Sequence, residues 1–418
     1  MEIVLTLQYT PSIVQMQLGD IVDVFKANLP RLVGSFVSQV VSAAAEALVK
    51  GGDGERFRLP RVRCRHCGGH DFAFKSHGDG GPMKHLTTVF GDIKVPNIQI
   101  YCKACGARKR VTGLLLDVPP DARADEATGN QLALAGALTS FRNTETIGGI
   151  FGSALDKATF WRYAQKAGGR VTFKVDPDEP PVLEADGTGI PTYGDGKRGS
   201  ELKVLVQKCS DRTAEASRSR YRVAGLSVGG YIGGWDGLFG PSIKVLRAME
   251  VVYLTIDGET EVLKALGNVN VKVQRCLWHI PHQAKYTLWE DKADKDGPEY
   301  RHVMAGVYEA VSTAYVPDEE LRLLLALTRK EEVQTLIGYC DGHGMPKTAA
   351  YLRNAQYDLL TCVYNKMAGR TTSIVERVMR TVNMRVNVGK WSRQGALNIN
   401  KIRLGFYYNG FLNYLRVS

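Results

Sequence analysis

Four of the eight cysteines sit in two Cys-x-x-Cys pairs, CRHC with Cys64 and Cys67 and CKAC with Cys102 and Cys105. Two such knuckles on neighbouring hairpins supply four thiolates at tetrahedral geometry, the donor set of a structural Zn²⁺. Four reduced thiols would show the same spacing, and His66, His70, His77 and His85 are near enough for a mixed Cys/His set. In a chain with no export signal, paired spacing points to metal rather than to disulfides. A second group is acidic: Asp186 in ADGTG, Asp257 in TIDGE and Glu376 in TTSIVERVMR. Three carboxylates brought to one point bind two Mg²⁺ or Mn²⁺ ions, hard cations that prefer oxygen. Each acid also has a plainer use, since Asp-Gly starts turns and Ser373 with Glu376 matches the S-x-x-E capping box. Cys276 and His279 in RCLWHI form a third group. Two ligands are too few for a closed zinc site, and His282 adds only a third. Packing or hydrogen bonding is their expected use.

These groups need elements to position them. Residues 12–49 repeat Leu18, Ile21, Val22, Phe25, Leu29, Leu32 and Val33 at three- and four-residue steps, which predicts a helix that Pro30 should break or kink. GGDGE (51–55) reads as a linker. Residues 56–112 read as a small β module whose alternating segment, HLTTVFGDIKVPNIQIY (85–101), turns at Gly91-Asp92. TETIGGIFGSALDKATFWRYAQKAG has the lengths of a helix-turn-helix. Asp156 would cap its second helix, and Lys157, Thr159, Arg162 and Lys166 would enter a major groove; ordinary helical packing gives the same pattern.

From residue 171 the pattern is α/β, with VDPDEPP (175–181) at the boundary. Strands are expected at 181–193 carrying Asp186, at 201–209 and at 221–233. A helix within 238–250 precedes a strand at 251–257 that ends on Asp257. A helix at 260–267 and a strand at 271–279 lead into Cys276 and His279, and residues 283–370 are mostly helical.

Charge is unevenly placed. The net +11 comes from two basic blocks, residues 55–110 with 12 bases and 4 acids and residues 370–418 with 9 and 1. Residues 111–369 carry 30 bases and 33 acids. Two basic patches flanking a near-neutral middle favour a nucleic-acid partner over a merely solvated face, because phosphate neutralisation releases counterions. No run of about 18 apolar residues is evident, and MEIVLTLQYT lacks the layout of a signal peptide. The expectation is a soluble intracellular protein, cytoplasmic and nucleoid-associated, with no membrane partner.

Three strands, a helix, a strand, a helix and a strand is the element order of an RNase H-like domain, with Asp186 and Asp257 on its first and fourth strands and Glu376 on a late helix. The segments VFGDIKV…YCKACG, ADGTG, TIDG, CLWH, TTSIVERVMR and KWSRQGAL resemble the DDE transposases of prokaryotic insertion sequences, in the Mutator-like supergroup. The resemblance covers most of 56–410. It implies an RNase H-like catalytic domain interrupted by an α-helical insertion, with Asp186, Asp257 and Glu376 as a triad for two Mg²⁺ or Mn²⁺ ions. It also implies Cys276 and His279 as the family's C/D-x-x-H motif supporting the site. The expected organisation is an N-terminal helical segment (1–54), a zinc-ribbon-like β module (55–115) and a helix-turn-helix (120–170). The RNase H-like domain would follow in two parts (171–282 and 370–418) around an all-α insertion (283–369). The expected activity is cleavage and strand transfer at terminal inverted repeats of double-stranded DNA, by at least a dimer. Arg377, Arg380, Arg385, Lys390, Arg393, Lys401 and Arg403 would track DNA toward the ions. Trp391 is either a core side chain or a platform for an unpaired base. The alternatives are an inactive transposase-derived DNA-binding protein and another RNase H-like nuclease, such as a branched-DNA resolvase.

Overall fold

The structure is a computed structural model, and it describes residues 18–50, 62–76, 83–116, 118, 122–150, 155–194, 199–210, 220–230, 234–259, 261–367 and 369–410. The chain packs into two compact units. Among the described residues, one takes in 18–132 and 141–161 and the other 133–140 and 162–410.

The first unit opens on α1 (Leu18–Lys50), a 33-residue helix that continues through Pro30 instead of breaking there. Residues 12–17 of the expected helix and the 51–55 linker lie outside the described residues. By length and composition alone, Val22–Val49 is apolar enough to cross a membrane, a property that the search for an unbroken apolar run overlooked. Here Val41 and Ala45 are buried with Val62, Phe72, Ile98, Ile100 and Val111 of the β module. Strands β1 (Phe72–Ser76), β2 (Met83–Thr88), β3 (Gly91–Pro96), β4 (Gln99–Cys102) and β5 (Arg108–Arg110) form that module. β2 and β3 make a hairpin, and β1-β4-β5 an antiparallel sheet. The hairpin turns at Val89 and Phe90, with Gly91 opening β3, two residues earlier than expected.

Short α2 (Thr112–Leu115) is followed by α3 (Glu126–Leu138), α4 (Phe141–Ile150) and α5 (Lys157–Arg170). The two helices of the expected helix-turn-helix are α4 and α5; the glycine-bearing turn at 151–154 is outside the described residues. Asp156 caps α5 as expected, its Oδ1 accepting the Thr159 N–H at 2.7 Å.

The second unit is built on a five-stranded sheet of β6 (Val182–Ile190), β7 (Ser200–Lys208), β8 (Tyr221–Gly229), β9 (Val252–Ile256) and β10 (Val271–Arg275), in the order β8-β7-β6-β9-β10. β6, β7 and β8 form an antiparallel meander, while β9 and β10 run parallel to β6. The crossovers are made by α6 (Trp235–Phe239), α7 (Ile243–Ala248) and α8 (Glu261–Leu266). Strand side chains alternate between faces. Leu183, Ala185, Leu205 and Leu254 bury against Trp235, Leu238, Leu246 and Val262 on one face.

A helical block then interrupts the α/β pattern: α9 (His279–Glu290), α10 (Pro298–Ser312), α11 (Glu319–Gly342), α12 (Pro346–Ala355) and α13 (Thr361–Tyr364). It has its own core, including Ile280, Leu288, Val307, Leu336 and Leu352. The chain returns to the sheet as α14 (Ser373–Val386) and α15 (Arg393–Tyr408). α14 lies against β6, where Thr188 and Asn383 exchange a hydrogen bond, and α15 joins β8 through Asn409, which bonds both backbone groups of Val223 at 2.9 Å.

Candidate metal centres

The two Cys-x-x-Cys knuckles meet. Cys64 Sγ lies 3.5 Å from Cys105 Sγ and Cys67 Sγ 3.5 Å from Cys102 Sγ, with all four sulfurs within 4.8 Å of one another. Zn–S bonds of about 2.3 Å in a tetrahedron hold sulfurs about 3.8 Å apart, so small shifts suffice. Each knuckle has the same backbone. Gly68 N–H donates to Cys64 O at 2.9 Å and Gly106 N–H to Cys102 O at 2.8 Å, both glycines at φ +73°, where a Cβ would be strained. The N–H groups of Cys67 and His66 lower the Cys64 thiol to about 6, which favours the thiolate a metal needs. These four residues can hold a structural zinc. Among the described residues no histidine joins the set, and His77 lies outside them.

The second centre lies on the β6 face opposite the apolar core. The parallel register pairs Val182, Leu183 and Glu184 with Tyr253, Leu254 and Thr255, and continuing it brings Asp186 level with Asp257. Glu376 arrives in the first turn of α14, a helix whose Val375, Val378, Met379, Val382 and Val386 bury at three- and four-residue steps. Burial pushes the Asp186 carboxyl up to about 7, and the charge of Asp257 raises it further, as Glu376 does more weakly. The Gly187 N–H, 2.7 Å from Asp186 Oδ1, and His279 act in the opposite direction. Asp186, Asp257, Glu376 and His279 therefore share one electrostatic site. A half-buried carboxylate held up by two others is a place where a dication relieves repulsion.

Sequence reasoning missed Glu184, two residues before Asp186 on the same face. Its buried Oε2 accepts the N–H groups of Ile374 and Val375, both at 3.1 Å, so a carboxylate from β6 caps the helix that carries Glu376. The expected Ser373–Glu376 capping box does not form. Thr372 is the N-cap residue and makes no side-chain cap bond. Strand alternation around Asp186 held the signal for Glu184, but only the fold supplies its partners. Burial also pushes Glu184 up to about 7 against those two N–H groups, with the charge of Glu376 adding to the rise.

Cys276 and His279 lie beside Glu376. Cys276 Sγ accepts from the Thr372 N–H at 3.3 Å, and His279 Nε2 is 3.9 Å from Glu376 Oε1. The Thr372 hydroxyl sits among all three, 3.2 Å from Cys276 Sγ, 3.0 Å from Glu376 Oε1 and 3.5 Å from His279 Nδ1. The His279 hydrogen bond, with Thr372, draws the Cys276 thiol down against the effect of burial, and the same bond with Cys276 raises His279. His282 stacks on Trp278 instead of joining the group.

Asp257 is held from two further directions that the sequence did not reveal. Gly258, at φ +109°, lies against the Arg275 guanidinium, with 2.5 Å left for a Cβ. Arg275 in turn forms a bidentate pair with Asp358 at 2.8 and 3.1 Å. On the other side Glu259 Oε2 accepts from Trp235 Nε1 at 2.6 Å and lies 3.9 Å from the fully buried Lys203 ammonium, which also pairs with Glu201 at 2.5 Å.

The basic residues divide. Lys157, Arg162, Lys166, Arg377, Arg380, Lys390 and Arg393 are exposed. Arg385 is not available to DNA as expected. It is 4 % exposed, donates twice to Gly136 O and lies over the Trp391 ring at 4.7 Å. Burial lowers its pKa to about 10, with the charge of Arg403 adding to the shift. Arg403 is likewise buried, on the carbonyls of Thr381, Ala137 and Leu138. Trp391 is a core side chain, its Nε1 donating to Val386 O at 2.9 Å. Among the described residues Glu376 pairs with His279 and makes no ion pair with Arg380. Comparison with protein-family models gives no match, and no curated protein matches the chain.

Proposed function

We propose that the chain is a DNA transposase of the DDE type. One observation carries the reading. Asp186 on β6 feels the charge of Asp257, one residue past the end of the adjacent parallel strand β9, and Glu376 reaches the same electrostatic site from a helix placed after an independent helical block. The strand order, with an antiparallel meander followed by two parallel strands, supports an RNase H-like catalytic domain, and the exposed bases of α5 and α14 support a DNA partner.

Asp186, Asp257 and Glu376 would hold two Mg²⁺ or Mn²⁺ ions, which supply Lewis-acid activation of the attacking oxygen and charge stabilisation at the leaving one. In cleavage a water oxygen bonds to phosphorus and the P–O bond to the 3′ oxygen breaks, leaving a 3′-hydroxyl at the transposon end. In strand transfer that hydroxyl attacks a target phosphodiester, and a target 3′ oxygen leaves. One phosphodiester is exchanged for another, so no external energy is needed. Glu184 fixes the start of α14, and Arg275 and Glu259 fix the loop of Asp257, so the carboxylates are held before substrate arrives.

The test uses DNA from either side of the gene as substrate, with Mg²⁺ or Mn²⁺. Asp186→Asn, Asp257→Asn and Glu376→Gln should each reduce cleavage on the order of a hundredfold or more while end binding persists. Wild-type rates in all three variants would overturn the reading. Cleavage indifferent to end sequence but selective for branched DNA would replace it with a resolvase.

A further inference from the structure

We propose that Cys276, His279 and Glu376 form a binding site for a thiophilic dication, Zn²⁺ foremost, separate from the four-cysteine set and chemically distinct from the oxygen-ligand ions. One ligand atom from each of the three residues lies within 4.8 Å of the others. The backbone fixes two of the three. Cys276 N–H donates to Ile256 O at 2.7 Å and His279 N–H to Cys276 O at 3.1 Å, so the thiol and the imidazole face one point at the start of α9. Glu376 projects from α14 with a side chain 39 % exposed, its Oε1 accepting from the Thr372 hydroxyl at 3.0 Å. Zn–S bonds of about 2.3 Å and Zn–N or Zn–O bonds of about 2.0–2.2 Å require the donor atoms to close by about 1 Å, within reach of one carboxylate torsion.

The donor chemistry selects the ion. A sulfur and a nitrogen donor discriminate against Mg²⁺ and favour Zn²⁺, Co²⁺ or Cu²⁺. A thiolate and a carboxylate together would neutralise a dication. Thr372 completes the arrangement from behind. Its N–H and hydroxyl both reach Cys276 Sγ, the outer support that orients a metal-bound thiolate. Three protein ligands leave a position open for water, as in zinc sites that are not purely structural.

The functional consequence rests on the transposase reading: a thiophilic ion here takes Glu376 from the carboxylate cluster, so Zn²⁺ opposes Mg²⁺. The binding itself does not rest on it. Full-length protein with zinc in the four-cysteine set is titrated with Co²⁺, reading the near-ultraviolet thiolate-to-cobalt charge-transfer band as the difference between wild type and Cys276→Ser. One additional equivalent with charge transfer is expected in wild type, absent from Cys276→Ser and weakened at least about tenfold by His279→Gln. Identical spectra for wild type and Cys276→Ser would overturn the site. Should Cys276→Ser not fold, His279→Gln and Glu376→Gln, both at partly exposed positions, decide: unchanged Co²⁺ affinity in both refutes the proposal. Failure of wild-type protein to cut end DNA would sink the transposase reading while leaving this spectrum intact.

Discussion

Asp186 and Glu184 are two carboxyls whose folded pKa values, both about 7, lie well above those of the unfolded chain. Between pH 4 and 7 the folded protein therefore binds more protons than the unfolded one. The stability these groups contribute is complete below about pH 4 and is lost as pH rises through about 7. Protein free of Mg²⁺ and Mn²⁺, with zinc kept in the four-cysteine set, should thus be more stable as Asp186→Asn than as wild type at pH 8, by roughly 1–3 kcal/mol. The difference should vanish near pH 4 in denaturant melts. Mn²⁺ should raise the wild-type melting temperature at pH 8 more than at pH 5, and leave Asp186→Asn nearly unmoved. A variant less stable than wild type at both pH values would show that the repulsion is absent. Asp186, Asp257 and Glu376 were legible as residues because strand ends and a lone acid in a basic tail are visible in a string of letters. Glu184, Thr372 and Arg275 were not, because their roles lie in hydrogen bonds to partners far along the chain.

At the scale of elements, periodicity located β6 to β10 and their crossover helices to within a few residues, since alternating and buried strand patterns are local properties. The anchoring of the helical block was not readable. Gln274, fully buried at the end of β10, donates to Leu359 O at 2.8 Å and accepts the Cys362 N–H at 2.7 Å, while Arg275 holds Asp358. These bonds tie the exit of the block to its entrance, beside Asp257. Arg275→Met should leave Asp358 half-buried and without its guanidinium, lowering stability by about 1–3 kcal/mol. The double variant with Asp358→Leu should recover most of that loss in chemical denaturation, whereas additive losses would mean the pair is not coupled. Arg385 illustrates the opposite error. In sequence it belongs to a run of bases, yet it faces inward on the same helix as exposed Arg380 and Arg377. Arg385→Ala should cost stability, and Arg377→Ala or Lys166→Ala should instead lower the slope of log affinity against log salt by about 1 each. Salt titrations of end binding separate the two classes.

For the molecule as a whole, the four-cysteine set and the carboxylate cluster belong to different compact units. Zinc removal by a chelator should therefore abolish hydrogen-exchange protection of β1, β4 and β5 while β6, β7 and β9 remain protected, because so small a module would draw its stability from a metal held by the four cysteines. Loss of protection throughout the sheet of the second unit would contradict that independence. The division also matches what composition conveyed: the described bases of 62–110 lie in the β module and most of those of 370–410 in the helices closing the sheet.

Glu376 is brought to Asp186 only after the entire helical block has been made, since α14 follows α9 to α13 in the chain. Synthesis runs from the N-terminus, and domains fold as they emerge. On a ribosome, the sheet and the helical block are complete while the third carboxylate is still in the exit tunnel. A nascent chain, or one truncated before α14, can thus present the exposed bases of α5 without a completed cluster. The order of the letters acts as a timer, closing the cluster only once the helical block has been made.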